Sequence, residues 1–411
     1  LERKEVTSAL RLAITLSPMW AEQGRYTEAR VALTQIQEAL PSSAGETRAV
    51  VLGWIAEWAW LQGDYASTKE LAQASLDQSL ALGMPRAIAA NRYRLGRVAT
   101  LGDPVAAATL LTEALEGFRS LGEARNICWC LVGLGHAALG TGNTAEAGAR
   151  FDEAETNLEY VDEDSGAWLT LGLELGVARL ALHTGDTARA GEILRGAFAI
   201  SSAERNHYFE SLSLSYLCDV YRREKSFARA IEAGRQGLQI AQVLGHRFRE
   251  CQCLIQLALA AYDAKKLDQA MLLDGGIAAL RAQLDVAVSY KPLLDQWSGA
   301  TSEQARRLTE LEAAGRKLTG SELLAQVMAL ELELNQVLQR SNVLSHREEE
   351  VLQFLAQGAT NGEIADQLYV SRRTIDTHVG SILRKLQVAS RHEAVKTARK
   401  HGIVDPEVHI S

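Results

Sequence analysis

A short turn signature occurs seven times along this 411-residue chain and limits its possible folds more than any other feature. The first copy reads Gly24-Arg-Tyr26-x-x-Ala29. The later copies begin at Gly63, Gly102, Gly142, Gly185, Lys225 and Lys265. Successive copies start 39, 39, 40, 43, 40 and 40 residues apart. A fixed period of this size indicates supersecondary units that stack on one another and share a continuous core.

Small residues stand at fixed distances on both sides of these turns. Seven residues before most turns stand Ser17, Gly135, Ala178, Cys218 and Ala258. Twelve residues after them stand Ser75, Ala114, Ala154, Ala197 and Gly237. Small side chains let two helices cross closely, and the absence of proline between Pro104 and Pro292 favours helix. Each repeat is therefore predicted to be a pair of closely packed helices whose turn glycine ends the first one.

The pattern resembles tetratricopeptide repeats, whose second helix begins near a Gly-Asp-Tyr-x-x-Ala signature, although their usual period is about 34 residues. Longer helices would explain the difference, as in the repeat domains of MalT-type regulators. The resemblance implies an all-α fold with a tetratricopeptide-like α-solenoid over residues 1–300. Its concave face would bind a small-molecule or protein effector. Seven tryptophans could line that face or, as is more common, pack in the core: Trp20, Trp54, Trp58, Trp60, Trp129, Trp168 and Trp297.

An amphipathic stretch from Thr301 to Gln339 follows the repeats. It predicts one or two helices that cap the solenoid, so residues 301–340 are assigned as a helical linker and 341–411 as a further domain. A coiled-coil dimer is a less favoured alternative, because the apolar repeat lasts for too few heptads.

The net charge of −8 argues against a nucleic-acid partner if it is taken for the whole chain, but this charge is unevenly distributed. From Asn342 onward nine basic residues balance nine acidic ones, so the negative charge lies upstream. Between Ser371 and Lys400 the sequence has eight basic residues and only two acidic ones, Asp376 and Glu393. A small basic surface on an acidic body is therefore expected.

The sequence contains no motif for catalysis, a metal or a cofactor, so no enzyme is expected. No nucleotide-binding G-x-x-x-x-G-K-[ST] loop and no Ser/His/Asp or Cys/His arrangement is present. No apolar run reaches the ~20 residues that span a membrane. Because the chain begins with Leu1, we expect a longer parent protein whose missing part could hold an ATPase. The cysteines lack zinc-ligand spacing and are expected to be small buried residues in a reducing cytoplasm: Cys128, Cys130, Cys218, Cys251 and Cys253.

Helix-start signals become dense after residue 341. Capping boxes stand at Ser345-x-x-Glu348, Thr360-x-x-Glu363 and Ser390-x-x-Glu393, and Ser371 is a further N-cap. These signals predict four short helices near 346–357, 361–368, 372–386 and 391–401. The second and third are joined by only Tyr369-Val370-Ser371, as in a helix-turn-helix.

The third helix of this domain has two contrasting faces. Its apolar stripe consists of Ile375, Val379, Ile382 and Leu386. The opposite face carries Arg373, Asp376, Thr377, Gly380 and Arg384. The stripe predicts burial, whereas the polar face is expected to enter a DNA major groove. His378 lies beside the stripe and is expected to pack against the core.

The domain resembles the LuxR-type DNA-binding domain over about 60 residues. The resemblance is carried by Leu344-Ser-x-Arg347-Glu348-x-Glu350-Val351-Leu352, Gly358-x-Thr360-Asn361-x-Glu363-Ile364-Ala365, Leu368-x-x-Ser371-x-x-Thr374-Ile375-x-x-His378, Ile382-x-x-Lys385-Leu386 and Arg391-x-x-Ala394. It implies that the third helix reads DNA, that Thr374 and Lys385 contact phosphate, and that the fourth helix dimerises on an inverted repeat.

Two positions depart from the commoner family pattern. Asp376 stands where a groove-contacting lysine is frequent, and Gly380 stands at a second groove-reading position. Asp376 could accept from a cytosine amino group or pair with Arg372 or Arg373 in its own helix; both readings stay open. Base contacts would fall to Arg372, Arg373, Thr377 and Ser381, with Arg384 on phosphate. The full expected DNA-binding set is Thr360, Asn361, Ser371, Arg372, Arg373, Thr374, Asp376, Thr377, Ser381, Arg384 and Lys385.

Together these features predict a cytoplasmic transcription regulator that binds double-stranded DNA as a homodimer. Its repeats would sense a ligand or protein partner. One alternative is a protein-interaction scaffold whose last domain serves mainly for dimerisation, although that role needs no cluster of basic residues. Another is the output half of an ATP-driven switch.

Overall fold

In a computed structural model the described part of the chain consists of helices joined by turns and short connections. The description covers residues 3–22, 24–41, 43–161, 163–284, 291–293, 302–341, 344–368, 370–386, 388 and 390–400. Over these residues there is no β-strand, in agreement with the predicted all-α class. The helices are α1 (Arg3–Glu22), α2 (Tyr26–Ala39), α3 (Gly45–Leu61), α4 (Tyr65–Ala81), α5 (Pro85–Ala99), α6 (Pro104–Leu121), α7 (Ala124–Gly140), α8 (Thr144–Leu158), α9 (Glu163–Thr184), α10 (Thr187–Ala203), α11 (His207–Arg223), α12 (Phe227–Val243), α13 (Arg247–Asp263), α14 (Leu267–Arg281), α15 (Ser302–Gly315), α16 (Gly320–Ser341), α17 (His346–Ala356), α18 (Asn361–Gln367), α19 (Arg372–Lys385) and α20 (Arg391–Lys400).

The chain divides into two compact units, Leu1–Val327 and Met328–Ser411. The division falls within α16, inside the segment 301–340 for which the sequence suggests a linker, and the exact domain boundaries remain predictions. The amphipathic stretch forms the two helices α15 and α16, as expected.

The first unit contains seven helix pairs, α1–α2 through α13–α14, which we number as repeats one to seven, followed by α15, which packs against α14. Each helix packs against the next one along the chain. The first helices of successive repeats also contact one another from α3 through α13. This pattern is that of a tetratricopeptide-like solenoid, because each repeat buries its apolar face against its neighbours.

Six of the seven repeat turns keep a residue in the left-handed region of the backbone, even where the glycine is lost; the third turn, at Gly102, does not. Gly63 and Gly142 adopt φ values of 75° and 76°. Lys225 and Lys265, which replace the glycine, adopt φ values of 59° and 62°. This left-handed region costs a residue with a Cβ about 1 kcal/mol or more, so the packing of the flanking helices must hold these lysines there.

Within a repeat the two helices approach so closely that a side chain reaches the backbone of the other. The hydroxyl of Ser75 donates to the carbonyl of Ala49 at 2.6 Å. In the sixth repeat the hydroxyl of Ser211 donates to the carbonyl of Gly237 at 2.9 Å. In both repeats the two residues lie 26 positions apart along the chain. The predicted small-residue positions therefore do mark close helix crossings.

The turn between the sixth and seventh repeats returns to contact the second repeat. The Tyr65 ring lies 6.2 Å from the His246 ring and 5.3 Å from the Phe248 ring, centroid to centroid. A Cβ added at Gly63 would lie 2.6 Å from Nδ1 of His246. We call this contact the seam.

The tryptophans that the structure describes lie at packing positions. Trp58 is buried, and Trp20, Trp54, Trp60 and Trp168 pack around the same core cluster. Trp129 packs against Gly172, where an added Cβ would come within 2.6 Å of the indole. Trp297 lies outside the described residues. All five cysteines are buried and unbridged, which agrees with their predicted role as small core residues.

We predict that Gly135→Ala destabilises the solenoid. Its Cβ would lie 2.3 Å from the Phe151 ring, and such overpacking costs about 1–3 kcal/mol. Gly196→Ala is the matched control, because its Cβ would meet no atom within 4 Å and alanine favours helix by roughly 0.5–1 kcal/mol. Urea unfolding followed by circular dichroism measures both. A midpoint for Gly135→Ala at or above that of the wild type would contradict the close crossing.

Candidate nucleic-acid interface

The second unit contains the four short helices that the sequence predicts, and their ends agree to within a residue or two wherever described. The side chain of Ser345 accepts from the backbone N–H of Glu348, whose carboxylate accepts from the N–H of Ser345. Thr360 and Glu363 form the same reciprocal box. These caps satisfy backbone donors that would otherwise be unpaired at the start of α17 and α18.

Helix α19 is fixed at its start and along one side. The Ser371 hydroxyl accepts from the N–H of Thr374 at 3.2 Å, so the predicted N-cap forms. Ile375 and Ile382 are fully buried and Leu386 nearly so. They share a core with residues of α17, α18 and α20, whereas Val379 and His378 are half-buried. The predicted buried stripe is thus confirmed at Ile375, Ile382 and Leu386, while Val379 packs against the same core but is half-buried.

The opposite face of α19 is open. Its exposed residues are Ser371, Arg372, Arg373, Asp376, Thr377, Gly380 and Arg384. Within the described part of the chain no carboxylate pairs with Arg372, Arg373 or Arg384. Three guanidinium groups are therefore available to an anionic partner along one helix face.

Gly380 leaves a gap in the middle of this face. A Cβ built on it would have no atom within 4 Å. The position therefore lacks a side chain only because its residue is glycine, and no neighbouring atom would exclude a larger residue.

Asp376 has a partner that neither open reading of the sequence included. The side-chain amide of Asn361, at the start of α18, donates to the Asp376 carboxylate at 2.7 Å. No ion pair joins Asp376 to Arg372 or Arg373 in the described structure. The two residues lie 15 positions apart, in different helices, so the contact does not follow from the pattern of either helix alone. It links the two helices of the helix-turn-helix and orients the carboxylate.

Lys385, expected on phosphate, lies in an ion pair instead of being free. Its Nζ is 2.6 Å from a carboxylate oxygen of Glu348, which is only 5% exposed. Burial alone would raise the pKa of Glu348, but hydrogen bonds from Lys385, Ser381 and Ser345 lower it to about 2. One carboxylate thus joins the cap of α17 to the last turn of α19.

Other basic residues of the domain are also tied to its own backbone. Arg347 donates to the carbonyl of Leu368 at 2.7 Å, Arg391 to that of Ala359 at 2.6 Å, and Arg399 to that of Ala356 at 2.9 Å. Arg391 and Arg399 belong to the basic segment from Ser371 to Lys400. They satisfy carbonyls near helix ends, which is a structural role.

The remaining expected contact residues flank the open face. Thr360 is exposed, whereas Asn361, Thr374 and Ser381 are half-buried. The hydroxyl of Thr374 is 2.8 Å from that of Ser371. The structure therefore brings the expected set around one end and one side of α19, with Lys385 partly engaged elsewhere. Tyr369 lies outside the described residues.

Two further properties concern the whole described chain. No group of three or more His, Cys, Asp or Glu side chains in it could hold a metal ion. No described helix is both long and apolar enough to cross a membrane.

Comparison with known proteins agrees with the domain resemblance. Residues 342–398 match the family described as bacterial regulatory proteins, luxR family. The uncharacterized response regulatory protein YgeK of Escherichia coli K12 is 48% identical over 62 residues, which cover 15% of this chain and 42% of the relative. The transcriptional regulatory protein ComA of Bacillus subtilis is 46% identical over 63 residues, covering 15% and 29%. The chain spans less than half the length of these relatives.

Two of the solved structures that resemble this chain cover most of its length. The first is a signal transduction ATPase with a tetratricopeptide repeat sensor from Pyrococcus horikoshii. The match covers 80% of this chain and 45% of the ATPase chain, with 14% identity and a TM-score of 0.41. Aspartyl phosphate phosphatase F of Bacillus subtilis covers 100% of this chain and 98% of its own, with 10% identity and a TM-score of 0.41.

We predict that Lys385→Met destabilises the C-terminal domain by about 1–3 kcal/mol at neutral pH, since it leaves the buried Glu348 carboxylate without its cation. In the wild type the Glu348 pKa is about 2, below the unfolded value of 4.5. Its contribution is therefore present above about pH 4.5 and lost as the pH falls toward 2. The variant should lose less stability over that interval.

Hydrogen exchange of the α17 amides in the full chain measures this effect at several pH values. Lys396→Met is the control, because Lys396 is exposed on α20. Equal protection in the two variants at pH 7 would show that the ion pair does not stabilise the domain.

Proposed function

We propose that this chain, whose residues 342–398 are a LuxR-family helix-turn-helix domain, is a transcription regulator that binds double-stranded DNA. The observation that carries the proposal is the open face of α19, where Arg372, Arg373 and Arg384 have no carboxylate partner in the described structure. The apolar stripe behind that face fixes its orientation. A helix with these two sides suits a major groove, because its buried side anchors it while its exposed side contacts DNA.

In the proposed complex the N-terminal turn of α19 lies nearest the bases. Arg372 and Arg373 extend from that turn, while Arg384 lies about three helical turns further on and contacts phosphate. Hydroxyls of Ser371, Thr374 and Thr360 add polar contacts at the same end.

We further propose that two copies bind an inverted repeat through α20 and that the protein acts in the cytoplasm.

The solenoid is proposed to control when α19 binds, by sensing a small molecule or a protein. Support comes from its architecture: the first helices of successive repeats contact one another and form one continuous face. The net charge of −8 lies upstream of the DNA-binding domain, so this body contributes no favourable attraction to phosphate.

We predict that DNA binding weakens steeply with salt, since each neutralised phosphate releases a counterion. Arg372→Ala and Arg373→Ala should each raise Kd by about tenfold or more. Arg306→Ala, which removes the same charge from an exposed site on α15, should leave Kd within about twofold. Fluorescence anisotropy at several salt concentrations gives Kd and slope. A Kd independent of salt would exclude phosphate-based binding and favour the dimerisation role.

We predict that Asp376→Ala alters sequence preference and does not raise affinity equally for all sites. The carboxylate held by Asn361 is a fixed acceptor, and an acceptor discriminates among base edges that present amino groups. Asn361→Ala should shift preference in the same direction but less, because it frees the carboxylate without removing it. Selection from a random duplex library at one salt concentration measures both. A uniform gain in affinity across the library would show that Asp376 only repels phosphate.

A further inference from the structure

Three buried side chains at the starts of α11 and α13 each carry a hydrogen-bond donor without an acceptor. The donors are Nε of Arg249, Nε2 of His246 and Nδ2 of Asn206. Their residues are 5%, 1% and 1% exposed, respectively. A buried donor without an acceptor costs about 1–3 kcal/mol, so three together are unusual in a folded core.

Of the three side chains, only that of Arg249 carries a positive charge, so its burial is the most unfavourable. Its Nη1 donates to the amide oxygen of Gln252 at 2.6 Å, and its Cζ lies 5.3 Å from the centre of the Tyr208 ring. No carboxylate in the described structure pairs with it. The adjacent carboxylate, Glu250, faces Arg247 at 3.6 Å instead. A buried charge that lacks an opposite charge is strongly unfavourable unless an anion joins it.

His246 supplies a donor and no charge. Its Nδ1 accepts from the backbone N–H of Arg249 at 3.3 Å, so in the neutral ring the proton lies on Nε2. Burial, with a smaller contribution from Arg249, lowers the pKa of His246 to about 3. The ring is therefore neutral at physiological pH and offers one N–H. Its centroid lies 6.0 Å from that of Tyr208.

Asn206 completes the set from the neighbouring repeat. Its side-chain oxygen caps α11 by accepting from the N–H of Phe209 at 3.3 Å. That role fixes the orientation of the side chain and leaves the amide N–H groups for another acceptor.

A second cation reinforces the positive character of the seam. Burial raises the pKa of Tyr65, while Arg249 and Arg97 both lower it, so both guanidinium groups act on the same phenol. Arg97 shares the single carboxylate of Glu57 with Arg94. Arg94 and Arg97 thus share one carboxylate, which leaves one of their two positive charges unbalanced.

We propose that Arg249, His246 and Asn206 form a binding site for one oxyanion, a carboxylate or phosphate group of a small ligand. The guanidinium provides the charge and the two neutral donors complete the hydrogen bonds. The half-buried Tyr208 forms one wall. Since Tyr65 of the second repeat packs against His246, an anion bound there stabilises the seam. The site gives the sensing role proposed above a ligand class.

The test is thermal unfolding of the full chain, followed by tryptophan fluorescence at fixed pH and ionic strength. Inorganic phosphate and acetate are titrated separately against sodium chloride. At about 100 times its Kd a bound anion should raise the midpoint by several degrees, with saturation. Arg249→Gln should abolish that rise. Arg86→Gln, which removes an exposed arginine bonded to Glu123, should retain it.

Asn206→Asp decides the question if Arg249→Gln fails to fold. Aspartate still caps α11 but replaces the donor with a negative oxygen, so it should remove the anion response. Asn143→Asp, at the exposed cap of α8, should not. A response to phosphate alone identifies a phosphate site, and a response to acetate as well identifies a general oxyanion site.

Equal saturable rises in the wild type and both seam variants would overturn the site, as would a rise that never saturates. The measurement contains no DNA. A negative result therefore leaves the DNA-binding proposal intact, and a failure of DNA binding leaves this site intact.

Discussion

The close approach of the two helices within each repeat is the contact on which the solenoid depends. Where the hydroxyl of Ser75 or Ser211 reaches a carbonyl of the facing helix, the distance between the helices is set by hydrogen-bond length. A larger side chain at either place would separate the helices. Because every repeat stacks on the last, a change of angle at one crossing is carried into all later repeats. The seam joins repeats that are far apart in sequence, so its formation depends on the angle at many helix crossings.

The C-terminal domain uses a different device for a similar purpose. Its recognition-type helix is held by a hydroxyl cap at one end, by buried isoleucines along its back, and by the Lys385–Glu348 pair at the other end. Its exposed face needs no internal contacts to stay in position. The arginines on that face are therefore free to serve a partner, whereas other arginines of the domain bind its own carbonyls.

Local patterns were enough to predict the elements but not their distant partners. Turn signatures and capping boxes marked the helix ends closely, because these signals act within about four residues. The partner of Asp376 is Asn361 and that of Lys385 is Glu348, and both arise from how helices fold onto each other. The return of His246 to the second repeat depends on the accumulated angle of several repeats. The roles of the expected DNA-contacting residues remain predictions that binding experiments decide.

If α19 reads DNA as proposed, Gly380 has a consequence for how its sequence preference changes over time. Because no neighbouring atom opposes a side chain there, a single codon change can add a new contact without any compensating substitution in the core. Specificity at this position can therefore be gained before anything else in the domain must adjust. Position 380 can therefore accept a side chain that contacts a base, and a duplicated copy of the gene could acquire its own set of target sites through one substitution.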